Sequence, residues 1–144
     1  MITETQPTLV ELDRAECLRL LASQPVGRLA VSTTAAPLVI PVNYTLDGDC
    51  IVFRSDSGTK LTALQHGTIS FQVDFIDWYH RTGWSVLVSG AAYEATHFEV
   101  DHFLLEPWAE GDKRHWVRIP VVEITGRRLH HLDTDWAPDD RGYL

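Results

Sequence analysis

Cysteine and positive charge are both scarce in this chain of 144 residues, and long apolar runs are missing altogether. The two cysteines, Cys17 and Cys50, belong to no Cys-x-x-Cys pair. Two isolated thiols cannot build a disulfide framework or a structural zinc site, so buried and inert thiols are expected. Twelve Lys and Arg stand against twenty Asp and Glu, a formal net charge of −8. A general nucleic-acid binder needs a broad basic face to neutralise phosphates, and this balance argues against one. No apolar stretch approaches the roughly 18 residues of a membrane span. Met1 to Pro7 also lacks the basic start and apolar core of a secretory leader, so a cytoplasmic location is expected.

Several chemistries are excluded in the same way. The sequence has no Gly-x-Gly-x-x-Gly fingerprint, no Walker loop and no Gly-x-Ser-x-Gly elbow. Seven histidines invite a metal. Yet His97 and His102 are spaced to fall on different faces of a helix, and adjacent His130 and His131 point to opposite faces of a strand. Metal binding is therefore not expected. The paired carboxylates Asp139 and Asp140 lie in a polar tail, where solvation explains them better than acid–base work.

What is present reads as one domain. Hydrophobic residues make up 44% of a chain long enough for a sizeable core. Residues 1–10 are polar and are predicted to form a flexible arm, followed by a domain over 11–129 and a tail over 130–144. Asp13-x-x-Glu16 opens a helix like a capping box, and Gln24-Pro25 ends it. Val26–Ser32 and Leu38–Tyr44 read as strands, and Asp47-Gly48 is a hairpin signal leading into Cys50–Phe53. Leu61–His66 suggests a short helix. Thr68–Ile76 alternates cleanly, with Ile69, Phe71, Val73 and Phe75 on one face and Ser70, Gln72 and Asp74 on the other. Trp84–Ala92 is a further strand, His97–Leu105 a helix, and His115–Leu129 one strand or two broken at Pro120. The sum is a mainly β fold, a small β-barrel of about six antiparallel strands with three short helices.

The segment Arg54-Ser-Asp-Ser-Gly-Thr-Lys-Leu61 carries the most chemical information. Two cations, hydroxyls and free backbone N–H groups crowd a strand-to-helix corner, which is the make-up of a phosphate cradle. A helix N-cap would use the same residue types, so the corner alone leaves both readings open. Trp84, Trp108 and Trp116 offer stacking area, and Arg118 offers a fixed fork for phosphate or carbonyl oxygens. A barrel plug or an interface anchor is the simpler account of any single tryptophan.

Four motifs in order add to this reading. Gly27-Arg-Leu-Ala30, Pro37-x-x-x-Pro-Val-Asn-Tyr44, Phe53-Arg-Ser-x-x-Gly-Thr-Lys-Leu61 and Gly83-Trp-Ser-Val-Leu-Val-Ser-Gly-Ala91 follow one another. The succession resembles the pyridoxamine 5′-phosphate oxidase-like proteins, the FMN-binding split β-barrels. Its short members, similar to the nitroimidazole-resistance reductases, are nearest. The resemblance implies a homodimer with FMN in grooves between the subunits. It implies that Arg54, Ser55, Thr59 and Lys60 hold the phosphate, and that Arg28, Val42, Asn43 and Tyr44 line the flavin ring. Trp84, Ser85, Trp108 and Arg118 would complete the site, some of them from the second subunit. The oxidases' carboxy-terminal substrate motif is not intact here, which turns the expectation away from vitamin B6 oxidation.

The expected function is FMN-dependent oxidation or reduction of a small organic substrate. The alternatives are a deazaflavin-dependent reductase and a non-catalytic flavin-binding or sensing dimer. No acid–base residue is singled out, and no nucleic-acid or membrane partner is expected.

Overall fold

The computed structural model describes residues 6–56, 67–95, 108 and 115–131. The two later helices of the sequence reading, Thr59 and Lys60 of the phosphate corner, and the tail beyond residue 131 lie outside the described residues.

Nine strands and one helix make up the described chain. They are β1 (Thr8–Leu12), α1 (Arg14–Leu21), β2 (Val26–Val31), β3 (Leu38–Asp47), β4 (Cys50–Ser55), β5 (Thr68–Asp77), β6 (Thr82–Ala91), β7 (Tyr93–Glu94), β8 (His115–Pro120) and β9 (Glu123–His130). All pairings are antiparallel, in the order β1-β9-β6-β5-β2-β3-β4-β8-β7. Among the described residues, hydrogen bonds do not join the two ends of this sheet. The chain does so instead: β6 pairs with β5 and β9 in one half, and one residue later β7 pairs with β8 in the other. This is the split β-barrel that the resemblance implied.

The local signals explain most of these elements. Asp13 caps α1 by accepting a 2.8 Å hydrogen bond from the Glu16 N–H. The Glu16 carboxylate does not return the capping-box bond; it binds Arg19 and Arg128. Gly48 takes φ +56° in the β3–β4 hairpin, a left-handed conformation that glycine adopts without steric cost. Pro120 ends β8, and Val121-Val122 separate it from β9, so the broken reading of this region holds.

The amino-terminal arm needs correction. Residues 8–10 begin β1, which pairs with β9 from Thr8↔His130 to Leu12↔Gly126. Its strand character comes from that distant partner, while its own side chains are mostly exposed.

The core lies inside the barrel and under α1. Leu29, Val31, Ile51, Phe53, Phe71, Val73, Val86, Val88, Val117 and Ile119 are almost completely buried. Cys17, Leu20 and Leu21 cover one side from α1. The helix approaches β9 at Gly126, where an added Cβ would stand 2.6 Å from the Cys17 sulfur. Both thiols are free and buried, and burial pushes both above the usual thiol range. No helix among the described residues is long and apolar enough to cross a membrane.

Candidate functional site

Strand alternation divides the candidate residues between two faces of the sheet. On β2, Gly27, Leu29 and Val31 are buried inward, so Arg28 and Ala30 face out. Arg28 lies opposite Pro41 on β3 and Gln72 on β5. Tyr44 on β3 pairs inward with Phe53 on β4, so the neighbouring Asn43 and Arg54 point the other way. Three candidates from three consecutive strands, Arg28, Asn43 and Arg54, therefore share the outer face.

Each of the three is held differently. Just over half of the Arg28 side chain is exposed, 54%. Its Nη1 makes only long contacts, 3.3 Å to Gln72 Oε1 and 3.4 Å to Asp74 Oδ1. Gln72 Nε2 donates to Asp74 Oδ2 at 2.8 Å, so the amide and carboxylate form a fixed seat for the guanidinium. Arg54 lies over the Trp116 ring, its Cζ 5.1 Å from the centroid and paired with it across β4 and β8. Asn43 spans two loops: its Nδ2 donates to Pro25 O at 3.4 Å, and its Oδ1 accepts from the Trp108 N–H at 2.9 Å. The Trp108 ring is itself exposed.

For Val42 and Tyr44 the motif reading gave both backbone and side chains to the ring. Both side chains are buried in the core, which leaves only their backbone to face a ligand. Tyr44 donates its hydroxyl to the Leu21 carbonyl and meets Phe71 edge-on, with centroids 4.9 Å apart. Burial pushes its phenol well above the usual range. Ser55 is also buried, its Oγ donating to Asp56 O at 3.0 Å. It ends β4 at the point where the chain enters the phosphate corner.

Arg118 is committed to structure. Its Nη2 donates to Asp47 Oδ2 at 2.8 Å and its Nε to the Tyr93 hydroxyl at 3.1 Å. Burial, the largest influence, would lower its pKa, but the Asp47 and Tyr93 bonds together with the nearby Cys50 and Tyr93 outweigh it and keep the guanidinium firmly charged. The site-completing role given to Arg118 thus meets a side chain already held between β3, β7 and β8.

Trp84 and Ser85 fall at the other end of the sheet. Trp84 packs against the core from the inner face. Ser85 faces out, in register with Asp74 on β5 and Arg127 on β9. Gln72 and Asp74 were not singled out as site residues, and Trp116 was named only as stacking area, yet they seat Arg28 and Arg54. The outward alternation of Gln72 and Asp74 was the available signal. Among the described residues no cluster of three His, Cys, Asp or Glu side chains is placed to hold a metal.

A family model described as pyridoxamine 5′-phosphate oxidase matches residues 13–128. An uncharacterized protein of Mycobacterium tuberculosis is 33% identical over 130 residues, covering 84% of this chain and 86% of its own. Among solved structures, an FAD-binding protein from Mycobacterium smegmatis superposes with a TM-score of 0.65 at 30% identity, covering 84% of this chain and 98% of its own. A second FAD-binding protein, from Mesorhizobium loti, gives a TM-score of 0.71 at 25% identity, covering 83% and 97%.

Proposed function

The chain belongs to the pyridoxamine 5′-phosphate oxidase family, and from that premise we propose that it binds a flavin nucleotide on the outer face of β2, β3 and β4. The observation that carries this reading is the convergence of Arg28, Asn43 and Arg54 on one face, beside the end of β4. From Ser55 the chain runs directly into Asp56-Ser-Gly-Thr-Lys60, so hydroxyls and a lysine follow the arginine in sequence.

These donors fit the ligand. A flavin phosphate calls for two cations with hydroxyl and N–H donors, and Arg54, Lys60 and Thr59 supply that set, while the expected Ser55 hydroxyl is buried and already donates to Asp56 O. The ring needs flat contacts and a few polar groups, and the β3 backbone at Val42 to Tyr44 with the Asn43 amide offers both. Arg28, with its long and replaceable contacts, is the cation for the ring's polar edge. A bound flavin supplies hydride or single-electron transfer to a small organic substrate. Asn43 orients it, Trp116 keeps the Arg54 guanidinium in place, and solvent delivers protons.

FMN is the compact form that this phosphate corner suits. FAD contains the same riboflavin phosphate, and the names of the M. smegmatis and M. loti relatives favour it as the second reading. A second copy of the chain would cover the outer face, where Val39 and Leu87 stand 60% and 44% exposed beside small Ala30, Ser70 and Ser89. A carrier or sensor without turnover would use the same site.

The test is the mass of the chromophore released by acid from the purified protein, which separates FMN, FAD and a deazaflavin. Replacing Arg54 or Lys60 with Ala should weaken flavin binding by about 1.5–3 kcal/mol, roughly 10- to 150-fold. A colourless protein that takes up no added flavin overturns the proposal. Substrate-free reduction by a nicotinamide donor distinguishes an enzyme from a carrier.

A further inference from the structure

We propose that a trough at the hairpin end of the outer face binds an organic anion with an apolar body, such as an aromatic carboxylate. The β5–β6 turn and strand β9 enclose a cleft of about 480 Å³ there. That volume falls inside the range of roughly 300–1,000 Å³ typical of small-molecule sites.

The strand register explains how the trough forms. Gly83 on β6 lies in line with Ile76 on β5 and Leu129 on β9, and Leu129 in turn faces Leu9 on β1. Glycine therefore leaves a gap in an otherwise apolar row. No other residue fits, because a Cβ at position 83 would stand 2.4 Å from the Phe75 carbonyl oxygen. Ile76 and Leu9 are 53% and 57% exposed, so the walls present apolar surface that water now covers.

Two cations line this trough, in a chain whose net charge is −8. Arg81 comes from the turn, and Arg127 from β9 between Ser85 on β6 and Glu11 on β1, the latter in cross-strand register but making no ion pair with it. Neither side chain makes a hydrogen bond or ion pair with any described residue. Arg14, Arg19, Arg118 and Arg128, by contrast, all have close partners. Asp74 also lines the cleft, but Arg28 and Gln72 already engage its carboxylate. The balance of available charge is positive.

The carboxylate's charge would meet Arg81 and Arg127, and the apolar body would lie along Ile76 and Leu129. Charge-assisted bonds to an anion are the strong kind. Trp84 and Ser85, which the motifs gave to the flavin site, also line it, but none of the side chains assigned to the flavin phosphate does, so loss of flavin in the Arg54 or Lys60 variants and loss of naphthoate in the Arg81 or Arg127 variants are separate readouts.

The experiment is calorimetric titration of the purified full-length protein, with whatever chromophore it carries, using 2-naphthoate as probe. Neutral 2-naphthamide and inorganic phosphate are the comparison ligands. Naphthoate should bind at one site per chain, and more tightly than either comparison ligand. R127Q and R81Q should each weaken it about tenfold, the low end for losing a charge-assisted hydrogen bond near solvent, with flavin content and melting temperature unchanged. Equal binding of naphthoate and naphthamide overturns the anion requirement. Equal binding of phosphate overturns the apolar one. Unchanged naphthoate affinity in both arginine variants, or no naphthoate binding at all, overturns the site.

Discussion

Glu16 should make the stability of this protein fall in acid in a way that one substitution removes. Its carboxylate accepts from Arg19 Nε at 2.8 Å within α1 and from Arg128 Nη2 at 2.9 Å on β9. The Arg19 bond, opposed by burial and aided by Arg128, holds the carboxyl at about 2 instead of 4.5. A depressed folded-state pKa stabilises the fold above the unfolded value and ceases to do so as pH falls through the folded one. The contribution is thus complete above about pH 4.5 and lost between there and about pH 2. At about 1.4 kcal/mol per pH unit, the gap sets a ceiling of roughly 3 kcal/mol. Glu16 is 27% exposed and Arg19 37%, so solvent screening reduces this to about 1–2 kcal/mol. Glu16→Gln should therefore lower stability at pH 7 by about 1–2 kcal/mol, or roughly 3–8 °C in Tm. Urea titrations of both proteins at intervals from pH 7 to pH 2 measure the difference. Other carboxylates titrate in both, so only Glu16 is left in the comparison. The two curves should converge at the acid end; a constant difference across the range, or none at pH 7, would refute the reasoning.

Two further substitutions probe the inner face. Gly27→Ala puts a Cβ about 2.2 Å from the Phe71 ring, and should cost about 1–3 kcal/mol by overpacking, read by thermal melting. In a Phe71→Leu background the same change should cost at least 0.5 kcal/mol less, on the scale of coupling between touching residues, and equal costs would dismiss the clash. Tyr44→Phe removes the hydroxyl that satisfies the Leu21 carbonyl. It should cost about 1–3 kcal/mol while leaving flavin content unchanged; loss of flavin from a stable variant would show that the side chain, not its backbone, meets the ligand.

The strands that form the frame of the barrel were readable because their signals are local. Clean alternation marks β5, the Asp-Gly turn joins β3 to β4, and Asp13 caps α1. β1 was not readable, since Thr8–Leu12 exposes most of its side chains and becomes a strand only through β9, more than 100 positions away. β7 is two residues long, too short for any periodicity. The site was half readable for a related reason. Motif order named Arg28, Asn43 and Arg54, whose side chains share the outer face, together with Val42 and Tyr44, whose side chains alternate to the inner one and offer only backbone there. The partners of Arg118, Asp47 and Tyr93, were not readable because they come from two other strands that no local window contains.

That division of faces links the packing of the core to the placement of the site. Arg28 faces outward only because Gly27 and Leu29 face inward, and a slip of one residue would exchange them. The β2–β5 pairing covers only Arg28 to Ala30, a short stretch on which to fix register. Gly27 against the Phe71 ring adds a steric lock, for the space there admits a hydrogen atom and not a Cβ. In the slipped register a long charged side chain would have to enter that space, which has no partner for its charge. Phe71 is in turn braced edge-on by Tyr44, whose hydroxyl is tied to the end of α1. A contact chain from the helix through Tyr44 and Phe71 to Gly27 thus keeps Arg28 on the outer face. The Tyr44 side chain acts from behind the outer face, by fixing the direction in which the arginine points.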